Sequence, residues 1–127
     1  MAEPTKVLIV EDDKFLSELI STKLTKEGFA ITLATDGETG LEKAISDGPN
    51  IILLDIMLPG MSGFDVLKAL KNNENTAIAN IPVLILSNFG QESKVQEGLA
   101  LGAKDYLVKA NFTTGEIVEK IKTTLEG

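Results

Sequence analysis

The sequence predicts an α/β fold in which helices cover both faces of a parallel sheet. Short runs of apolar, β-rich residues alternate along the chain with longer segments whose apolar residues fall at helical spacing. Five such strand–helix pairs follow one another without a linker or a second compositional region. Right-handed crossovers between parallel strands give a doubly wound five-stranded sheet, and we predict a single domain over residues 1–127.

The first two pairs occupy the N-terminal third of the chain. Residues 6–10 are too short an apolar run for a helix, and they end abruptly in an acidic loop, which is typical of a buried parallel strand. Residues 14–27 show helical spacing, and Gly28 predicts the end of that helix. The pattern then repeats, with a strand at 29–34 and a helix at 36–47.

Three further pairs complete the pattern. Strands are predicted at residues 50–55, 81–86 and 105–108, and helices at 64–71, 91–101 and 114–125. Residues 72–80 are polar without a clear period, and we interpret them as the frayed end of the third helix and a connection. Pro59, Gly60 and Gly63 predict a tight turn after the third strand, because proline presets φ and glycine tolerates positive φ.

The composition excludes several classes of function. The chain has no cysteine, which excludes disulfides and thiolate metal sites, and no histidine, which excludes a Ser-His-Asp triad. Chemistry therefore falls to carboxylates, hydroxyls, lysines and the backbone. Twelve basic and 19 acidic residues give a formal charge of -7, which disfavours direct binding to nucleic acid or anionic lipid.

The longest apolar stretches are far shorter than the roughly 20 residues that a membrane span needs. The first six residues also lack the apolar region of a signal peptide. We expect a cytoplasmic protein without a membrane partner.

Polar side chains follow four of the five predicted strands. In doubly wound sheets, ligands bind beyond the carboxyl ends of the strands, so these residues are the candidate site. Exposed strand ends are often polar by default, but that explanation is weaker when four strands all end in polar residues than when one does. The candidates are Glu11, Asp12 and Asp13 after strand one, Asp55 at the end of strand three, Ser87 and Asn88 after strand four, and Lys109 after strand five.

A cluster of carboxylates normally indicates a bound cation, because like charges within about 4 to 6 Å destabilise one another. Mg²⁺ fits better than Ca²⁺, since it needs only one or two carboxylates and keeps several waters, and no EF-hand spacing is present. Lys109 and the Ser87 hydroxyl are suited to bind phosphoryl oxygens, and Asp55 is the plausible nucleophile.

Four segments resemble the motifs of the receiver domains of two-component response regulators. They are Val7-Leu-Ile-Val-Glu-Asp12, Asp55-Ile-Met-Leu-Pro-Gly-Met-Ser-Gly63, Leu86-Ser87 and Gly102-Ala-Lys-Asp-Tyr-Leu-Val-Lys109. The resemblance spans the whole chain and implies a flavodoxin-like (βα)5 fold with strand order 2-1-3-4-5. It also implies a cytoplasmic signalling protein that catalyses only its own phosphorylation and autodephosphorylation, and is otherwise no enzyme.

The resemblance implies a role for each site residue. Asp55 would accept a phosphoryl group from a sensor histidine kinase or a phosphotransfer protein, with Lys109 as a further site residue. Mg²⁺ would be bound by Asp12, Asp55 and the Met57 carbonyl, with Glu11 acting through water. Ser87 and Tyr106 would form the switch, although a half-buried strand tyrosine is an equally good interpretation of Tyr106 alone.

The implied output follows from that switch. Ser87 would be drawn towards the phosphoryl group, and Tyr106 would then move inward into the vacated pocket. A downstream protein would bind the face formed by predicted helix four, strand five and predicted helix five. We expect a monomer or a weak homodimer.

The sequence departs from the receiver pattern near the site. Most receivers have proline in a cis peptide after the site lysine, but Ala110 follows Lys109 here. A cis bond at a non-proline residue costs roughly 2.5 to 4 kcal/mol, so we predict a trans bond between Lys109 and Ala110. A trans bond could point the Lys109 side chain in a different direction from that in other receivers. Asn88 replaces a small residue. Asp13 is predicted to cap helix one rather than to bind metal.

Met57 and Phe89 flank the site with apolar side chains. Neither can orient an attacking water as an acid, amide or base could, which predicts a long-lived phosphorylated state.

Three alternatives remain beside the phosphoswitch. A haloacid-dehalogenase-type phosphatase would need an Asp-x-Asp motif after strand one, and a flavodoxin-like cofactor carrier would need a phosphate-binding loop where this one is acidic. A receiver that acts as a binding module without phosphorylation is kept open by Ala110 and Asn88. The sequence also fits both a regulator that acts by protein contact alone and the receiver of a longer protein.

Overall fold

A computed structural model describes residues 3–126 of the chain. The strands are β1 (Lys6–Val10), β2 (Ala30–Ala34), β3 (Ile51–Leu54), β4 (Val83–Ser87) and β5 (Asp105–Val108). The helices are α1 (Lys14–Lys26), α2 (Gly37–Asp47), α3 (Gly63–Lys71), α4 (Thr76–Ala79), α5 (Glu92–Ala100) and α6 (Thr114–Glu126). A 3₁₀ turn, Lys109–Asn111, joins β5 to α6.

The five strands form one parallel sheet in the order β2-β1-β3-β4-β5, which confirms the predicted fold class and strand order. Val10 is paired with both Ala34 and Leu54, so β1, β2 and β3 end level with one another. Ser87 is paired with Val108, so β4 and β5 also end together. The residues that follow β1, β3 and β5 therefore leave the sheet at one edge.

Helices cover both faces of the sheet, and each face has its own core. Successive strand side chains point to opposite faces, so Leu8 and Val10 pack towards α2 and α3, while Val7 and Ile9 pack towards α1 and α6. Burial on both faces explains why the strands are continuous apolar runs rather than alternating ones. None of the helices described within residues 3–126 is long and apolar enough to span a membrane.

Helix α1 buries fewer of its apolar residues than the spacing suggests. Ile20 and Leu24 are fully buried against the sheet. Phe15 and Leu19 lie on the outer side, with 74% and 39% of their surface exposed. Asp13 caps the helix as predicted, because its side chain accepts a hydrogen bond from the Leu16 amide at 3.1 Å.

The interpretation of residues 72–80 as frayed chain and connection is wrong. Within this stretch lies α4, a single helical turn whose Ala77 amide donates to the Asn75 side chain at 3.0 Å. Ile78 is buried in the core on the α2 and α3 face, and the Lys71 ammonium donates to the carbonyls of Ala79 (3.2 Å) and Ile81 (3.3 Å). The predicted fourth and fifth helices are consequently α5 and α6.

Two isoleucines in helices test the core directly. Ile20→Ala should lower the free energy of unfolding by about 2 to 5 kcal/mol, because it leaves a cavity under α1. Ile45→Ala should change it by less than about 1 kcal/mol, because Ile45 is 48% exposed on α2. Urea denaturation measures both, and equal effects would contradict the packing described.

Candidate functional site

The ends of β1 and β3 place two carboxylates side by side. The parallel hydrogen-bond ladder continues one residue beyond each strand, with the Glu11 amide donating to the Ala34 carbonyl (2.9 Å) and the Asp55 amide donating to the Val10 carbonyl (3.0 Å). The backbones of Glu11 and Asp55 are thereby fixed at the carboxyl ends of β1 and β3. Their side chains are almost completely buried, with 2% and 4% of residue surface exposed.

Lys109 bridges these two carboxylates. Its ammonium nitrogen lies 2.7 Å from Glu11 Oε1 and 3.1 Å from Asp55 Oδ2. The other oxygens bind backbone amides, with Asp13 donating to Glu11 Oε2 at 3.0 Å and Met57 donating to Asp55 Oδ1 at 3.2 Å. The structure thus brings together three of the predicted site residues in one cluster.

Burial and charge set the protonation of this cluster. Burial raises the pKa of Glu11 to about 7, against the opposing effect of the Lys109 ammonium, and the nearby Asp55 carboxylate adds to the rise. Burial disfavours the charge of Lys109, but the Glu11 and Asp55 carboxylates outweigh it and raise the pKa of Lys109. Lys109 is therefore a cation at neutral pH, and Glu11 binds its proton more tightly than an exposed glutamate does.

The residues present fit a hard divalent cation. Glu11, Asp12 and Asp55 each offer a carboxylate oxygen, and these oxygens lie within 4.8 Å of one another. Glu11 Oε1 is buried and, within residues 3–126, makes no directional hydrogen bond; its near neighbour is the Lys109 charge. An all-oxygen set with an exposed Asp12 suits an ion such as Mg²⁺ that keeps part of its water shell. The Met57 carbonyl remains a predicted ligand.

Ser87 and Tyr106 are joined through the backbone of Phe89. The Ser87 hydroxyl oxygen is fully buried and accepts a hydrogen bond from the Phe89 amide at 3.0 Å. The Tyr106 hydroxyl donates to the Phe89 carbonyl at 2.7 Å. One peptide segment therefore contacts both predicted switch residues, a link that side-chain patterns gave no signal to find. Asn88, between them, is exposed.

Tyr106 differs from the expectation in one respect. Only 7% of its surface is exposed, so it is buried rather than half-buried. Its ring packs against α5 at Gly98, which has no side chain to occupy the space. The predicted movement of Ser87 and Tyr106 on phosphorylation stays a prediction.

The turn after β5 answers the question raised by Ala110. Within residues 3–126 the peptide bonds are trans, which confirms the prediction for Lys109-Ala110. Lys109–Asn111 form a 3₁₀ turn instead. The loss of the usual proline does not misdirect Lys109, because its ammonium still reaches Glu11 and Asp55.

Gly60 and Gly63 serve the turn after β3 in different ways. Gly60 has a positive φ of 73°, as the prediction requires. Gly63 does not; there, a Cβ would collide with the Asp55 carbonyl oxygen and lie 2.7 Å from Ile56 Cα. Close backbone approach to the candidate acceptor, rather than φ, explains the second glycine.

The strand order and the acid–lysine cluster at one sheet edge match a known family. A sequence model of the response regulator receiver domain matches residues 7–122. The chain belongs to this family. The Mycobacterium tuberculosis sensory transduction protein RegX3 is 40% identical over 121 residues, which are 95% of this chain and 51% of that protein. The chain thus spans about half the length of this relative.

Solved receiver domains also share the fold. The receiver domain of Francisella response regulator 1452 has a TM-score of 0.85 at 32% identity, covering 96% of this chain and 97% of that one. The Vibrio cholerae chemotaxis response regulator CheY4 has a TM-score of 0.84 at 30% identity, covering 94% and 98%. Receiver family membership replaces the phosphatase and cofactor-carrier alternatives.

The raised pKa of Glu11 predicts how stability depends on pH. The folded receiver holds the Glu11 proton more tightly than the unfolded chain does, so this contribution to stability is present below about pH 4.5 and is lost as the pH rises through about 7. Without divalent ions, wild type should therefore lose on the order of 1 to 3 kcal/mol relative to Glu11→Gln between pH 5 and pH 8. Urea denaturation in EDTA measures this difference, and a difference independent of pH would contradict it.

Proposed function

We propose that this receiver is a phosphorylation-dependent switch whose acceptor is Asp55. The observation that carries the proposal is the environment of that carboxylate, which is buried at the sheet edge and contacts the Lys109 ammonium and the Met57 amide. Glu11 and Asp12 lie beside it. Under this proposal the chain catalyses only its own phosphorylation and dephosphorylation.

The donor would be a phosphohistidine of a sensor histidine kinase or a phosphotransfer protein. An Asp55 carboxylate oxygen attacks phosphorus, the phosphorus–nitrogen bond of the donor breaks, and the imidazole leaves with the bonding electron pair. Lys109 then holds a phosphoryl oxygen by charge and hydrogen bonding. Glu11, Asp12, Asp55 and the Met57 carbonyl would hold Mg²⁺, which when bound neutralises charge on the phosphoryl oxygens.

The switch would act through the Phe89 peptide segment. The Ser87 hydroxyl accepts from the Phe89 amide, and its own hydrogen remains able to bond a phosphoryl oxygen on Asp55. A shift of Ser87 towards that oxygen would pull on Phe89, whose carbonyl accepts from Tyr106. The signal would thereby reach α5, β5 and α6, and phosphorylation would change the population of forms that a downstream protein binds on this face.

A binding module that needs no phosphorylation is the second candidate. The observation that favours it is Tyr106, whose ring is already buried and whose hydroxyl is already bonded to Phe89. In that case the α5, β5 and α6 face would be permanently competent. Both candidates act by protein contact, as a monomer or weak homodimer, and the net charge of -7 supports a receiver without direct contact to nucleic acid.

Intact mass after incubation with acetyl phosphate tests the acceptor. Wild type should gain one phosphate in the presence of Mg²⁺, and the adduct should be lost in base. Asp55→Asn should gain none, and Asp12→Ala should gain it far more slowly. Asp13→Asn is a matched control that keeps the helix cap and should behave as wild type. No adduct on wild type would favour the binding module.

The apolar neighbours of the site predict a phosphorylated state that persists well beyond seconds. Met57 is 57% exposed, so a polar side chain at this position costs no core packing. Met57→Gln should shorten the lifetime several-fold, because an amide orients an attacking water, whereas Met57→Leu should not. Intact mass at intervals after removal of acetyl phosphate measures the decay, and complete loss from wild type within seconds would refute this prediction.

A further inference from the structure

The loop that follows Asp55 is held by packing rather than by its own hydrogen bonds. We call residues 57–61 the acceptor loop. In the described part of the chain these five residues make no backbone–backbone hydrogen bond, and the base of the loop is closed by the Gly63 amide donating to the Ile56 carbonyl at 2.8 Å. The Met57 amide donates to Asp55 Oδ1, so the position of this loop bears directly on the acceptor.

Helix α2 meets this loop with no side chain between them. Gly37, the first residue of α2, is buried, and a Cβ there would collide with the Met61 carbonyl oxygen. That Cβ would also lie 2.9 Å from Met61 Cβ and 3.0 Å from the Met61 carbonyl carbon. Because these are backbone atoms and the first atom of a side chain, no rotamer change relieves the collision, and α2 and the loop must move apart.

The first turn of α2 is a firm support for this contact. Asp36 caps the helix, with its two oxygens accepting from the Thr39 amide at 2.8 Å and the Thr39 hydroxyl at 3.0 Å. One turn along, Gly40 lies so close to β1 that a Cβ would be 2.7 Å from a Val10 methyl carbon. Val10 directly precedes Glu11, so α2 packs both against the acceptor loop and against the strand residue before the acidic pair.

We propose that Gly37 is a positioning residue for the metal and phosphoryl site. The contact between α2 and Met61 fixes the position of the acceptor loop relative to the sheet. The loop in turn fixes the position of the Met57 backbone relative to the Asp55 carboxylate. The three atoms nearest to a Cβ at Gly37 all belong to Met61, so Gly37 acts on the site through the loop. This inference rests on the proposed function, since it concerns the affinity of the same site for Mg²⁺.

Calorimetric titration of the full chain with Mg²⁺ tests the inference. Gly37→Ala should weaken Mg²⁺ binding about tenfold, the size of effect that groups supporting metal ligands usually show. Gly48→Ala is the matched control, because Gly48 ends the same helix with a φ of 56° and has open space around its Cβ position. It strains α2 without touching the loop, so its Mg²⁺ affinity should equal that of wild type. The Met57 amide resonance should shift in the first variant and not in the second.

A second pair of variants decides the question if Gly37→Ala does not fold. Asp36→Ala and Asp36→Asn remove the same charge, but asparagine keeps a side-chain oxygen to cap α2 and alanine does not. Asp36→Ala should bind Mg²⁺ several-fold more weakly than Asp36→Asn.

Each outcome has one meaning. If wild type binds Mg²⁺ and Gly37→Ala binds it as tightly as Gly48→Ala, the inference is overturned and the proposed function stands. With Gly37→Ala unfolded, equal affinities of the two Asp36 variants overturn it in the same way. If wild type binds no Mg²⁺, the proposed metal site fails, and the positioning role of Gly37 fails with it.

Discussion

The ion pairs of Lys109 with Glu11 and Asp55 are the interaction on which the rest of the site depends. Two nearly buried carboxylates side by side would each be costly to ionise, and removing one partner from a buried pair usually destabilises a protein strongly. Lys109 supplies the compensating charge from a different strand. Under the proposed function, the cation that compensates these two carboxylates would also bind a phosphoryl oxygen, so one side chain would serve both stability and chemistry.

The parallel sheet is what allows three strands to contribute to one cluster. Side chains on a strand alternate between faces, so a slip of one residue in the pairing of β1 and β3 would move every side chain of one strand from one core to the other. Because both faces are buried, the register with Val10 opposite Leu54 is strongly fixed. The backbone positions of Glu11 and Asp55 are fixed in the same way, because each residue adds one hydrogen bond to the ladder beyond its strand.

The sequence predicted the parts of this receiver that depend on local pattern. Strand ends, the acidic cluster and the Asp13 cap all follow from residue type and spacing. Helix α4 was missed because one buried residue, Ile78, creates no period. Helical spacing alone does not predict burial, as the exposed Phe15 shows, because an apolar position says nothing about whether a neighbour covers it. The burial of Tyr106 depends on a glycine on another helix, and strand order came from the family resemblance rather than from the pattern.

Contacts made by backbone atoms explain why several departures from the family pattern leave the arrangement intact. The Ser87 and Tyr106 hydroxyls are linked by the amide and the carbonyl of Phe89, and neither group changes with the side chain at that position. Asn88 is exposed and stands outside this link. Gly37 and Gly63 likewise act through the absence of a Cβ, which lets two backbone segments approach closely near Asp55. The backbone thus holds the geometry of the site, and under the proposed function the side chains near Asp55 would be free to set the lifetime of a phosphoryl group.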